Sequence, residues 1–156
     1  GVRLTGDPIA AKRRPESFVD CQFSAPFAAA LTLTEGTAGA EEFLRAVGRF
    51  DDSPRWDDPE IRRLMDATTV TTDEAIERRF PEEWGAEVAV TAAGETRERS
   101  VSVPLGEPAK PMSDADARAK AEGLLAGTGV DADRLSAVIE SLDGRSVAEL
   151  VDAATA

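Results

Sequence analysis

The sequence predicts an α+β domain with a small sheet that includes an antiparallel hairpin, covered by helices and followed by C-terminal helices. Three observations predict it. Apolar residues recur at helical spacing through the first third of the chain, alternate at strand spacing around Val88–Val90 and Val101–Val103, and return to helical spacing after Ser113. Helices first, strands in the middle and helices last suit segregated layers better than alternating βαβ units, and 156 residues provide for one domain with a real core.

Residues 1–19, polar and punctuated by Gly6, Pro8 and Pro15, read as a loop. Ser24-Ala25-Pro26 then places a capping hydroxyl before a first-turn proline, and Phe23, Phe27, Ala30 and Leu31 follow at helical spacing. The remaining positions are mostly Ala, Leu and Thr, so this helix should be buried on several sides. Gly36 and Gly39 end it. Phe43, Leu44, Val47 and Phe50 form the stripe of a second helix, broken by Asp51-Asp52-Ser53-Pro54. Asp58-Pro59-Glu60 opens a third with cap, proline and acid in the preferred order, and Ile61, Leu64 and Met65 give it an inner face.

Thr68 to Thr72 is rich in β-formers and predicts a short strand. Val88 and Val90 alternate with Glu87, Ala89 and Thr91; after a turn at Ala93-Gly94, Val101 and Val103 alternate with Ser100 and Ser102. This is a hairpin with one wet face. Phe80 and Trp84 flank Pro81-Glu82-Glu83 at its entrance and read as core plugs. Pro104, Pro108 and Pro111 mark a loop. Ser113 with Asp116 then makes a capping-box pattern for a helix reaching about Ala126. Leu135, Val138, Ile139 and Leu142 stripe another helix, and Val147, Leu150 and Val151 a last short one.

Composition removes whole classes of chemistry. The chain has no histidine, which excludes Ser-His-Asp and Cys-His nucleophiles and histidine metal ligands. The single Cys21 excludes a disulfide framework and a CxxC metal site, and with no histidine to activate it reads as a buried structural cysteine. Acidic pairs such as Asp51-Asp52, Asp57-Asp58 and Glu82-Glu83 lack the spacing of a calcium loop and read as solvated surface. Gly127 and Gly129 lie at a helix boundary with no phosphate-loop lysine after them. No metal or cofactor is expected.

Thirty acids against eighteen bases give a net charge of −12, which repels nucleic acid and anionic lipid, so neither is an expected partner. Only three of the eighteen bases are lysines. Two readings stand: adaptation to high salt, where dense carboxylates hold hydration and their repulsion is screened, or an ordinary acidic protein from a GC-rich genome. With no signal peptide and no apolar window of spanning length, a soluble cytoplasmic protein is expected. The opening at Gly1, without an initiator methionine, suits an excised or processed piece. Lys12-Arg13-Arg14 inverts the local field. Guanidinium groups fork onto carboxylates, so the run could hold an anionic ligand; a solvated loop paired with nearby acids is the weightier reading.

The stretch Asp20-Cys21-Gln22-Phe23-Ser24-Ala25-Pro26-Phe27-Ala28-Ala29-Ala30-Leu31 resembles the signature helix that opens the C-terminal part of the MmgE/PrpD family of 2-methylcitrate dehydratases, cis-aconitate decarboxylases and iminodisuccinate epimerases. The resemblance continues in order through Glu35-Gly36, Asp58-Pro59-Glu60-Ile61 with Leu64-Met65 and Val70, Phe80-Pro81-Glu82-Glu83-Trp84, Gly106-Glu107-Pro108, Pro111-Met112-Ser113 and Lys120. It covers roughly residues 12 to 153. It implies a lid segment of a longer, cofactor-independent enzyme that acts on a small di- or tricarboxylate, with the histidine bases on a separate N-terminal helical domain. It further implies a lid over residues 1–112, with helices over 113–156 that complete it and contact the missing domain. No catalytic residue is carried by this chain. Gln22, Ser24 and Phe27 are the expected substrate-binding positions, with Lys12 and Arg13 beside them. Relatives often have tyrosine where Phe27 stands, which removes a hydroxyl able to donate to a carboxylate. A homo-oligomer is possible in the parent. The alternative is a free-standing, non-catalytic α+β binding or interaction module.

Overall fold

The computed structural model describes residues 2–48 and 54–155. Phe50 and the breaker residues Asp51–Ser53 lie outside them. The chain divides into two compact units, residues 1–70 with 116–156, and residues 71–115.

The first unit opens with three short helices, α1 (Val2–Thr5), α2 (Ile9–Lys12) and α3 (Phe18–Gln22), where a loop was expected. Local chemistry rather than apolar periodicity makes them. Pro8 stands at the N-cap position of α2, and the Ser17 hydroxyl accepts the Asp20 amide at the start of α3. Next come α4 (Ala25–Glu35), capped by Ser24 and closed by Gly36 at φ 81°, and α5 (Ala40–Ala46). A glycine is favoured at that left-handed closing position because it has no Cβ to clash. One 3₁₀ turn (Arg55–Asp57) leads into α6 (Pro59–Ala67), whose cap is Asp58: its carboxylate accepts the amides of Glu60 and Ile61.

The core lies where α4 crosses α6. Cys21, Phe27, Ala30, Leu31, Ala46, Ile61 and Met65 are buried there, with Phe43, Val47, Trp56 and Leu64 packed against them. Phe43 meets Phe27 edge-on at 5.7 Å and Phe18 at 6.2 Å, the arrangement ring quadrupoles favour. Burial of α4 on several sides was expected; Pro26, Phe27, Ala30 and Leu31 are buried, while Thr32, Leu33 and Glu35 are exposed. From α8 (Asp114–Leu125), Arg118 reaches Asp133 and Glu140 on α9 (Ala132–Glu140), at 3.0 Å each. A second 3₁₀ turn (Leu142–Gly144) precedes α10 (Val147–Ala154), which pairs with α9 over Val138 and Ala153 and through the Arg134–Asp152 ion pair.

The second unit holds α7 (Glu74–Glu77), capped by Asp73, and the hairpin of β1 (Ala86–Ala92) and β2 (Glu95–Val101). Ala86 faces Val101 and Ala92 faces Glu95, so Ala93 and Gly94, both at positive φ, make a two-residue turn of the type whose twist suits a hairpin. Three expectations are corrected here. Thr68–Thr72 forms no strand: the Thr68 hydroxyl donates back to Leu64 and its carbonyl is taken by Arg13, which leaves the segment without ladder geometry. Phe80 and Trp84 are 52% and 60% exposed and stack edge-on against each other at 5.1 Å; no described residue of this unit is buried, so there is no core to plug. Nor is only one hairpin face wet, since Val88 and Val101 are 54% and 46% exposed.

Candidate functional site

Five residues were expected to form the site, and the fold treats them differently. Ser24 is buried and fully used. Its hydroxyl donates to the Lys12 carbonyl at 2.5 Å and accepts the Phe27 amide at 3.0 Å, so one side chain caps α4 and ties the end of α2 to it. Phe27 lies one turn into α4, fully enclosed by the core, with its ring against Phe43. Lys12, Ser24 and Phe27 are thus brought together through one hydroxyl.

Arg13 turns to the other side. Its guanidinium donates through Nε at 3.0 Å, and also through Nη2, to the Thr68 carbonyl at the C-terminus of α6, where backbone carbonyls lack helical partners and favour a cation. Arg14 forks onto Asp66 at 2.7 and 3.0 Å. The Arg14 hydrogen bonds hold the Asp66 carboxyl below the usual range, and Asp66 in turn raises Arg14. The basic run therefore pins the N-terminal segment to α6. Two of its three cations are largely occupied.

Gln22 ends α3 exposed, and its side chain makes no hydrogen bond among the described residues. Lys12 is half-buried, and its charge reaches Asp20, whose carboxyl is lowered first by the Ser17 hydroxyl and then by the Glu16 amide. The Cys21 thiol is buried in the core, and desolvation, with Asp20 adding to it, pushes it up to about 12, so it is no thiolate nucleophile near neutral pH. Among the described residues no three His, Cys, Asp or Glu side chains gather as a metal site. What these residues can do is bind an anion through Lys12 and a polar group through Gln22. Proton transfer at carbon needs a base that they do not include.

Two open clefts in the first unit lie elsewhere. One of about 420 Å³ is lined by Gly39, Glu41, Glu42, Ala119, Lys120 and Gly123. The other, of about 280 Å³, lies between α9 and α10, where Arg145 and Glu149 pair at 3.0 Å beside the Arg134–Asp152 pair. Neither is lined by the five expected residues. Sequence reading missed Asp66 and the Thr68 carbonyl as the partners of the basic run, since a separation of more than fifty residues leaves no local signal.

In this α+β chain the helix capped by Ser24 supplies Phe27, Ala30 and Leu31 to the core of the first unit. The family model of the MmgE/PrpD C-terminal domain matches residues 2–144, and the chain belongs to the MmgE/PrpD family as that domain. No curated protein and no solved structure matches it significantly. Among the described residues no helix is long and apolar enough to cross a membrane.

Proposed function

We propose that this domain supplies the lid half of the active site of a 2-methylcitrate dehydratase-like lyase, acting on a small di- or tricarboxylate without a cofactor. The observation that carries the reading is the family match over residues 2–144 in a chain with no histidine. The lid comprises residues 1–112; the helices of 113–156 complete it and contact an N-terminal helical domain that carries the proton-transfer groups. Lys12 and Gln22 meet a substrate carboxylate and hydroxyl, Arg13 adds positive potential, and Ser24 and Phe27 hold that segment in place from behind. The dense acidic surface with scarce lysine fits a cytoplasm rich in salt.

Assay of the purified chain with 2-methylcitrate and cis-aconitate tests the division of labour. No turnover above background is expected. Activity that survives repurification would place a complete catalytic site in this chain and overturn the proposal. Reading the gene upstream of Gly1 gives the second arm: an open frame of about 300 residues, rich in helix and containing histidines, is expected for the joined parent. A start codon close to Gly1 favours the free-standing module instead.

A further inference from the structure

Among the described residues strand β1 pairs with β2 alone, and the sequence of its other edge is nearly its own mirror. Ala86-Glu87-Val88-Ala89-Val90-Thr91-Ala92 reads outward from Ala89 as Val and Val, then Glu and Thr, then Ala and Ala. Edges that must not pair usually carry lysine, proline or a bulge. Here β1 has none of these, and its one charge is Glu87. Its neighbour β2 differs, with Glu95, Arg97, Glu98 and Arg99 along it.

Ladder parity makes the mirror usable. A two-residue turn makes Ala92 and Glu95 the first hydrogen-bonded pair, so Ala86, Val88, Val90 and Ala92 spend their peptide groups on β2, while those of Glu87, Ala89 and Thr91 point to the open edge. The centre of the mirror is therefore an outward-pointing residue, as a two-fold antiparallel pairing requires.

We infer that β1 pairs with β1 of a second copy of this chain, antiparallel about a two-fold axis at Ala89, joining two hairpins into a four-stranded sheet. Ala89 then faces Ala89 of the second copy, and Glu87 faces Thr91 in both directions, for about six new backbone hydrogen bonds. Val88, exposed, comes opposite the half-buried Val90 of the second copy on one face, so four valines gather at the middle of the joint. Charges agree with this pairing. In a chain of net −12, β1 brings a single carboxylate per copy, and that carboxylate meets a threonine rather than another acid. A lone hairpin is marginal in water, whereas four strands with a valine cluster at their centre reach the size of an independent sheet; the charged β2 strands at both outer edges then close the assembly.

The test uses the whole chain in molar potassium chloride, which screens the overall repulsion. Sedimentation over micromolar to millimolar concentrations should show a monomer–dimer equilibrium. Ala89→Lys places opposite charge beside Glu98 within the hairpin but like charge against like across the two-fold, and should weaken the dimer about tenfold or more without loss of strand signal. Thiol scanning reads the register. With Cys21 buried and unreactive, Ala89→Cys should oxidise to a disulfide dimer, because the two introduced thiols lie on the axis; Thr91→Cys should not, because its copies lie about four residues apart along the joint. A monomer throughout, a dimer indifferent to Ala89→Lys, or equal cross-linking at both positions overturns the inference.

Discussion

Ser24 shows how one side chain can couple two levels of the structure. Its oxygen caps α4 and its proton holds the Lys12 carbonyl, both in a site closed to water. Ser24→Ala loses the cap and strands the carbonyl, so a loss of about 1 to 3 kcal/mol is expected from chemical denaturation. Ser24→Thr keeps the hydroxyl and should recover most of it. If alanine and threonine behave alike, the hydroxyl is not what ties α2 to α4. Sequence alone made the cap legible, because Ser-Ala-Pro before an apolar stripe is a local pattern. The second bond was not legible, since it spans twelve residues and depends on where α2 ends. Phe27 presents the same contrast: helical spacing marks it as inward-facing, while nothing local reveals that it meets Phe43.

At the scale of elements, a cap was legible where an apolar stripe followed it, as in α4 and α6, whereas the short α3 and α7, capped by Ser17 and Asp73, carry no such stripe and were not read; the two-residue hairpin turn formed where its residues indicated. Thr68–Thr72 failed as a strand because β-propensity needs a paired neighbour to act on, and its first residue is spent on α6 and Arg13. The last helix carries a pH signature. In α10 the Ser146 amide and hydroxyl donate to Glu149 at 2.8 and 2.9 Å, Arg145 adds a third donor, and the Glu149 carboxyl is lowered to about 2. A depressed carboxyl stabilises the fold above its unfolded value near 4.5 and loses that contribution as pH falls toward 2. The Ser146 and Glu149 amide resonances should titrate with a midpoint of about 2, and Glu149→Gln should flatten the response; titration at the ordinary carboxylate value would mean that the capping box is open in solution. The α9–α10 pair should also exchange its amides faster than α4 and α6. It buries only Val138 and Ala153 between its helices and leaves Val147 78% exposed. Equal protection in both regions would show that the stripe is covered, by self-association or otherwise.

At the scale of the whole molecule, charge separates what holds the fold from what strains it. Arginine makes ion pairs throughout the described residues, most of them exposed, so each is worth little alone. Against them stands an excess of twelve negative charges spread over the surface. Salt acts unequally on the two. At about 0.1 M the Debye length is about 10 Å, so carboxylates well apart still repel; at about 1 M it is about 3 Å, which removes that long-range term but leaves partners in hydrogen-bond contact within reach of each other. Repulsion should therefore fade faster than pairing, and the thermal midpoint should rise from low to molar potassium chloride. Chloride is the better choice because sulfate strengthens apolar burial in proteins generally and would raise the midpoint for a different reason. A rise with chloride supports a surface built for high salt. With a flat or falling midpoint, contact pairing outweighs the acidic excess, and the composition reverts to that of an ordinary acidic protein.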